Sequence, residues 1–131
     1  MFAEITILPR FCDTDQSGHI NNTATAQWLE FGRSEFIFKH VLIKPSMMLR
    51  HVAINYNAEL NFPDPARVRV GIERLGNSSV NYYQEIWQNG KCCITARAVD
   101  CYFDPATRQS AAIPDSDRRA FEQFKVEVSP D

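Results

Sequence analysis

An α+β domain is what this sequence predicts, and three observations predict it. The hydrophobic period is 3.6 over one segment, Thr23 to His40, and falls to two beyond it, which reads as one long helix and then strands. Turn-forming groups at Pro63-Asp64-Pro65, Gly76-Asn77-Ser78 and Asn89-Gly90 cut the later chain into strand-length pieces, joined closely enough to pair antiparallel. The chain has 131 residues, 44% hydrophobic and 23% charged, which is enough for one packed core and little more, so residues 1–131 are expected to form a single domain.

In chain order, Ala3 to Phe11 reads as a first strand, followed by the polar run Asp13-Thr14-Asp15-Gln16-Ser17-Gly18-His19. Asn21-Asn22-Thr23 then offers short side chains that can accept from the free N–H groups of a helix start. In the helix, Thr25, Trp28, Leu29, Gly32 and Phe36 share one stripe, with Gln27, Glu30 and Ser34 opposite. Gly32 in mid-stripe costs about 1 kcal/mol of helix propensity relative to Ala, and the usual compensation is close approach of another backbone, here a sheet. Phe31 and Phe38 lie off that stripe and are left for a second surface. Val52, Ile54, Tyr56, Ala58, Leu60 and Phe62 alternate with polar neighbours as a long half-buried strand that ends at Pro63. Val68, Val70 and Ile72 mark the next strand, Ser79 to Trp87 another, and Cys92 to Phe103 the last before the turn Asp104-Pro105-Ala106-Thr107. A short helix from Asp115 to Phe124, capped by Asp115 or Ser116, closes the chain. The sheet has one face to cover, and the long helix is the only element that can cover it.

Composition removes several classes of function. Lys+Arg is 14 against 16 Asp+Glu, a net charge of -2, which argues against non-specific nucleic-acid binding. No apolar run approaches the ~20 residues of a membrane span. Glu4 stands where an export signal would be basic, so a cytoplasmic location is the expectation. Cys12, Cys92, Cys93 and Cys101 form no C-x-x-C pair, and His19, His40 and His51 do not cluster with them in sequence. Reduced, buried thiols are expected, with no metal and no cofactor, and the adjacent Cys92 and Cys93 should point to opposite faces of a strand.

The segment before the helix is where chemistry could sit. It combines two carboxylates, Asp13 and Asp15, with Gly18, His19 and the unpaired N–H groups at the positive end of a helix dipole. An oxyanion developing there would meet donors on one side and a carboxylate on the other, as acyl transfer requires. The same residues also suit a plain polar loop in which the aspartates make Asx-turns and an asparagine caps the helix.

Arg10-Phe11-Cys12-Asp13-Thr14-Asp15-Gln16-Ser17-Gly18-His19-Ile20-Asn21-Asn22, continued by Trp28-Leu29-Glu30-Phe31-Gly32-Arg33-Ser34-Glu35, resembles the start of a hot-dog-fold acyl-CoA thioesterase. The branch it resembles is the 4-hydroxybenzoyl-CoA thioesterase-like one, with its D-x-D-x-x-G loop and E-x-x-R-[ST]-E helix. Similar residues at Asn55-Tyr56, Phe62-Pro63-Asp64, Leu75 to Val80, Asp104 and Ile113-Pro114 extend the resemblance through most of the chain. It implies a curved antiparallel sheet of about five strands wrapped around one long helix. It also implies hydrolysis of an acyl- or aryl-CoA to free acid and CoA. Asp15 would be the catalytic carboxylate, attacking the thioester carbonyl or activating water, and the backbone N–H of Asn22 would be the oxyanion donor. Asp13 is left a turn or supporting role, and Glu30 and Arg33 are close enough along the helix to pair. The Gly18-His19-Ile20-Asn21-Asn22 stretch is also similar to the N-x-H-V-N-N motif of acyl-carrier-protein thioesterases, although Ser17 stands where that motif has its asparagine. His19 could then polarise the carbonyl or orient water, or simply hydrogen-bond the loop.

An acyl-CoA is the partner the resemblance implies. Arg67, Arg69, Lys91, Arg97 and Arg108 are the candidates for its phosphates, unless they only solvate strand faces. The same resemblance implies a homodimer or a dimer of dimers, sheets joined edge to edge and each site between two subunits. Within this fold, a non-catalytic acyl-CoA-binding domain and an enoyl-CoA hydratase or dehydratase are the alternatives.

Overall fold

The computed structural model describes residues 1–41 and 46–128. Strand β1 (Ala3–Ile7), helix α1 (Asn22–His40), strands β2 (Met47–Tyr56), β3 (Ala66–Leu75), β4 (Ser79–Gln88) and β5 (Lys91–Tyr102), and helix α2 (Asp115–Glu122) follow one another along the chain. The strands form one five-stranded antiparallel sheet in the order β1-β3-β4-β5-β2. One long helix against one face of such a sheet is the α+β, hot-dog arrangement expected from the resemblance.

The core lies between α1 and the alternating buried residues of the three inner strands, among them Val68, Val70 and Ile72 of β3 and Tyr82 and Ile86 of β4. Gly32 packs tightly on the sheet: a Cβ placed there would lie 2.8 Å from Val68 Cγ1 and 3.2 Å from Val70 Cγ2. The helix propensity lost at Gly32 is thus offset by backbone-to-sheet packing that no larger residue permits. Gln84, wholly buried on β4, ties the same region together. Its amide nitrogen donates to the Leu29 carbonyl at 2.9 Å, and its Oε1 accepts from an Arg33 guanidinium N–H at 2.9 Å. Arg33 is therefore engaged with the sheet, and no Glu30–Arg33 ion pair forms among the described residues, contrary to the helical spacing.

Several boundaries differ from those expected. The first strand stops at Ile7, two residues before Pro9, and the chain makes a 3-10 turn over Phe11–Asp13. The second strand runs Met47–Tyr56 instead of Val52 to Phe62, and it lies at a sheet edge with Val52 39% and Tyr56 49% exposed. Alternation in sequence specifies two faces, but among the described residues only Met47 and Ile54 of this strand pack against the core. Ala58 and Leu60, expected as its continuation, leave the sheet. Leu60 turns inward, and its carbonyl accepts from the Ile20 N–H at 2.8 Å.

The second helix also covers the core, so α1 does not act alone. Phe121, wholly buried, stacks on Phe36 with centroids 5.9 Å apart, and Phe124 meets Phe36 edge-on at 4.9 Å. Pro114, and neither Asp115 nor Ser116, occupies the cap position of α2, and the helix ends at Glu122. The chain then runs beside β3, where Ile72 and the Phe124 to Val126 backbone exchange two 2.9 Å hydrogen bonds.

Gly32→Leu should lower stability by about 1–3 kcal/mol, the usual cost of overpacking a tight contact. Thermal denaturation of the variant checks this, and an unchanged Tm would place the helix farther from the sheet than 2.8 Å allows.

Candidate active site

Asp13 anchors the loop that leads into α1. The Asp13 carboxylate is buried to 3% exposure and is gripped by Arg10: the Arg10 N–H and Nε donate to Oδ2 at 2.8 and 3.3 Å, and a terminal guanidinium N–H donates to Oδ1 at 2.9 Å. These hydrogen bonds hold the Asp13 carboxyl below the usual carboxylate range, against the opposing effect of burial. The Asp13 carbonyl in turn accepts from the Asn21 N–H at 2.8 Å, closing the loop at the foot of α1. Asp13 is thus a supporting residue, in line with its expected role.

Within that loop, Asp15 and His19 face each other across a tight turn. The Asp15 N–H donates to the His19 carbonyl at 2.7 Å, and Gly18 takes φ +85, a left-handed conformation that glycine adopts at little cost. Asp15 Oδ1 accepts from the N–H groups of Ser17 at 2.7 Å and His19 at 3.1 Å. The aspartate therefore does make an Asx-turn, and the turn aims it: one oxygen is pinned, and Oδ2 has no hydrogen bond among the described residues.

The helix start supplies the donors. Asn21 caps α1, its Oδ1 accepting from the Ala24 N–H at 2.7 Å. The N–H groups of Asn22 and Thr23 have no backbone acceptor among the described residues, so they carry the free positive end of the helix dipole. The buried Thr25 hydroxyl donates to the Asn22 carbonyl at 3.0 Å and fixes this first turn. Asp15, His19 and Asn22 all line one cleft of about 300 Å³, floored by Ile20, Leu60 and Ile94. An acyl carbon held there would have a carboxylate oxygen as nucleophile or base and backbone N–H groups as oxyanion donors.

His19 lines the cleft as well, its Nε2 lying 2.9 Å from Oε2 of Glu59. Glu59, Tyr56 and Asn57 also line the cleft, and the sequence pattern marks none of them as a site residue. They come from the end of β2 and the segment after it, and a continued alternation there gave no sign that the chain leaves the sheet.

Among the described residues no lysine or arginine lines the cleft. Arg67 pairs with Glu4 at 3.5 Å, Arg69 with Glu4 at 3.3 Å and Glu85 at 3.0 Å, and Arg97 with Glu73 at 3.1 Å. Lys91 and Arg108 are exposed. All four cysteines are free: Cys93 is buried, Cys92 and Cys101 half-buried, and Cys12 exposed, contrary to expectation. Burial raises the Cys92 and Cys93 thiols, which makes them poor nucleophiles. Among the described residues no cluster of His, Cys, Asp or Glu could hold a metal ion, and no helix is long and apolar enough to cross a membrane. A larger recess of about 440 Å³, between Arg33, Phe38, Leu49 and Asp100, lies farther along α1 and lacks free helix-start donors.

Residues 9–121 match the model of the thioesterase-like superfamily. A predicted thioesterase from Bacillus stearothermophilus is 32% identical, with 98% of this chain and 100% of that one covered at a TM-score of 0.90. A hypothetical protein from Staphylococcus aureus in complex with CoA shares the fold at 14% identity, with 100% and 90% covered and a TM-score of 0.89. A thioesterase from Thermus thermophilus complexed with coenzyme A and Zn does so at 19% identity, with 93% and 92% covered and a TM-score of 0.84. No curated protein matches the sequence.

Because the Asp13 carboxyl titrates lower folded than unfolded, its contribution to stability is complete above the ordinary aspartate value near 4 and is lost as pH falls through the folded value. Asp13→Asn should therefore lower Tm at pH 7, and the gap to wild type should narrow as pH approaches 3. A gap independent of pH would show that the charge of Asp13 does not hold the loop.

Proposed function

This chain belongs to the thioesterase-like superfamily, and on that premise we propose that it hydrolyses an acyl- or aryl-CoA to free acid and CoA with Asp15 as the catalytic carboxylate. It is a thioester hydrolase; the substrate and the residues are the proposal. The observation that carries it is the Asp15 carboxylate itself, pinned through Oδ1 by two backbone N–H groups and open at Oδ2, in one cleft with the Asn22 N–H.

Oδ2 attacks the thioester carbonyl carbon, or takes the proton of a water that does. The oxyanion so formed is stabilised by the Asn22 N–H at the helix start. Its collapse breaks the C–S bond and expels the CoA thiolate, which acquires a proton. On the nucleophilic route, water then opens the acyl–Asp15 anhydride and restores the carboxylate. Relatives of this fold solved with CoA support CoA as the thiol. A cleft with no lysine or arginine among its described residues favours a neutral acyl group, since a carboxylate on the substrate would be repelled by Asp15 and Glu59. Four free cysteines support a cytoplasmic location.

The working unit we propose is a homodimer, alone or within a dimer of dimers. β2 is a ten-residue edge strand without Pro or Lys, and it exposes Met48, Leu49, Val52 and Tyr56, with Leu49 sharing a recess with Phe38 of α1, while Phe31 of the same helix is also exposed. Such an edge is a template for pairing, and a second copy related by a two-fold axis supplies an antiparallel strand of the same sequence.

Asp15→Asn should retain the fold and CoA binding while kcat and kcat/KM fall together by about 10²–10⁴-fold, as expected for a group acting in the chemical step. Thiol release against a panel of acyl-CoAs measures this; near-normal turnover would remove Asp15 from the mechanism. Light scattering should give twice the chain mass for the wild type, or four times for a dimer of dimers, and half of that or less for Val52→Pro. An active wild-type monomer would rule out the dimer.

A further inference from the structure

Glu59 is a carboxylate in the cleft for which the hydrolysis at Asp15 has so far no use, and any role for it in catalysis rests on that hydrolysis. Its Oε2 lies 2.9 Å from His19 Nε2. The two residues belong to segments that are locked together. The Ile20 N–H donates to the Leu60 carbonyl at 2.8 Å, His19 bridges to Asn61, and the N–H groups of Asn57 and Ala58 donate to the Cys93 carbonyl at 2.9 and 3.0 Å. His19 is also bound through its backbone to Asp15, by the N–H to Oδ1 at 3.1 Å and by the carbonyl from the Asp15 N–H at 2.7 Å. The imidazole is thus carried on the turn that holds the catalytic carboxylate, and a carboxylate from the opposite segment meets it.

From this geometry we infer that Glu59 is a positioning residue: it orients His19 as the base for the second half of the reaction, the hydrolysis of the acyl group carried on Asp15. A carboxylate accepting from Nε2–H selects the neutral tautomer with its lone pair on Nδ1 and favours the imidazolium that forms later. In the step itself a water O–H bond breaks, its oxygen bonds to the acyl carbon of the anhydride, and its proton goes to Nδ1. The bond from the acyl carbon to Asp15 Oδ2 then breaks, giving back the carboxylate and releasing the acid. The imidazolium returns its proton to solvent. A carboxylate, an imidazole and a second carboxylate have here the roles of nucleophile, base and orienting group.

The test is thiol release by wild type, Glu59→Gln and His19→Gln with an acyl-CoA that the wild type turns over, followed from the first milliseconds. The Glu59 side chain is 69% exposed, so the fold should survive, and an unchanged Tm confirms it. Glu59→Gln should release about one thiol per site in a burst and then run at a kcat about tenfold below wild type; His19→Gln should show the burst and a larger fall. Wild-type kinetics in Glu59→Gln would overturn the assignment and leave hydrolysis at Asp15 intact. A loss of rate without a burst would overturn it too, since an altered loop slows the first half as much as the second. Absence of turnover in the wild type would remove both the hydrolysis and the role of Glu59.

Discussion

The contact on which the rest of the structure depends is the one between Gly32 of α1 and Val68 and Val70 of β3, secured by the buried Gln84 amide. A helix lying this close to a sheet has little freedom to slide or roll, because the neighbouring side chains interdigitate at interior density. Gln84 adds direction to that constraint. A buried amide left unpaired would cost about 1–3 kcal/mol, so satisfying it on Leu29 and Arg33 selects one helix position along the strand.

Fixing the middle of α1 also fixes its first turn, and that turn is the useful end. The cap at Asn21, the Thr25 hydroxyl and the Asp13–Asn21 hydrogen bond leave the Asn22 and Thr23 N–H groups at a known place and without an acceptor among the described residues. The loop before the helix is short, so the carboxylate it carries cannot wander far from those donors. Arg10 stiffens that loop from below through Asp13, which leaves Asp15 as the aspartate with an oxygen open to the cleft, the one proposed to react. Two aspartates two residues apart thus differ in role because one is buried against a guanidinium and the other is exposed and held by backbone N–H groups.

The sheet treats its two edges differently. The β1 side is short, and residues after α2 continue the pairing along β3 at Ile72. On the other side β2 is long and exposed on both faces, and the chain leaves its end to form one wall of the cleft. The open edge and the cleft are therefore neighbours, which links a second copy to the proposed site in the proposed dimer.

By itself the sequence determined the helix, the turns and the chemistry-bearing loop. A 3.6 period broken only by Gly32, the pair Asn89-Gly90, and Asp15 followed by Gly18 and His19 before a capped helix are local patterns, and local geometry obeys them. The order β1-β3-β4-β5-β2 was not legible, since pairing partners distant in the chain leave no mark on either strand alone. Only the tertiary structure decided that Val52 and Tyr56 stay exposed, that Arg33 binds Gln84 and not Glu30, and that Glu59 faces His19. The reason is the same in each case: burial and ion pairing depend on which segments meet, and forty residues separate His19 from Glu59.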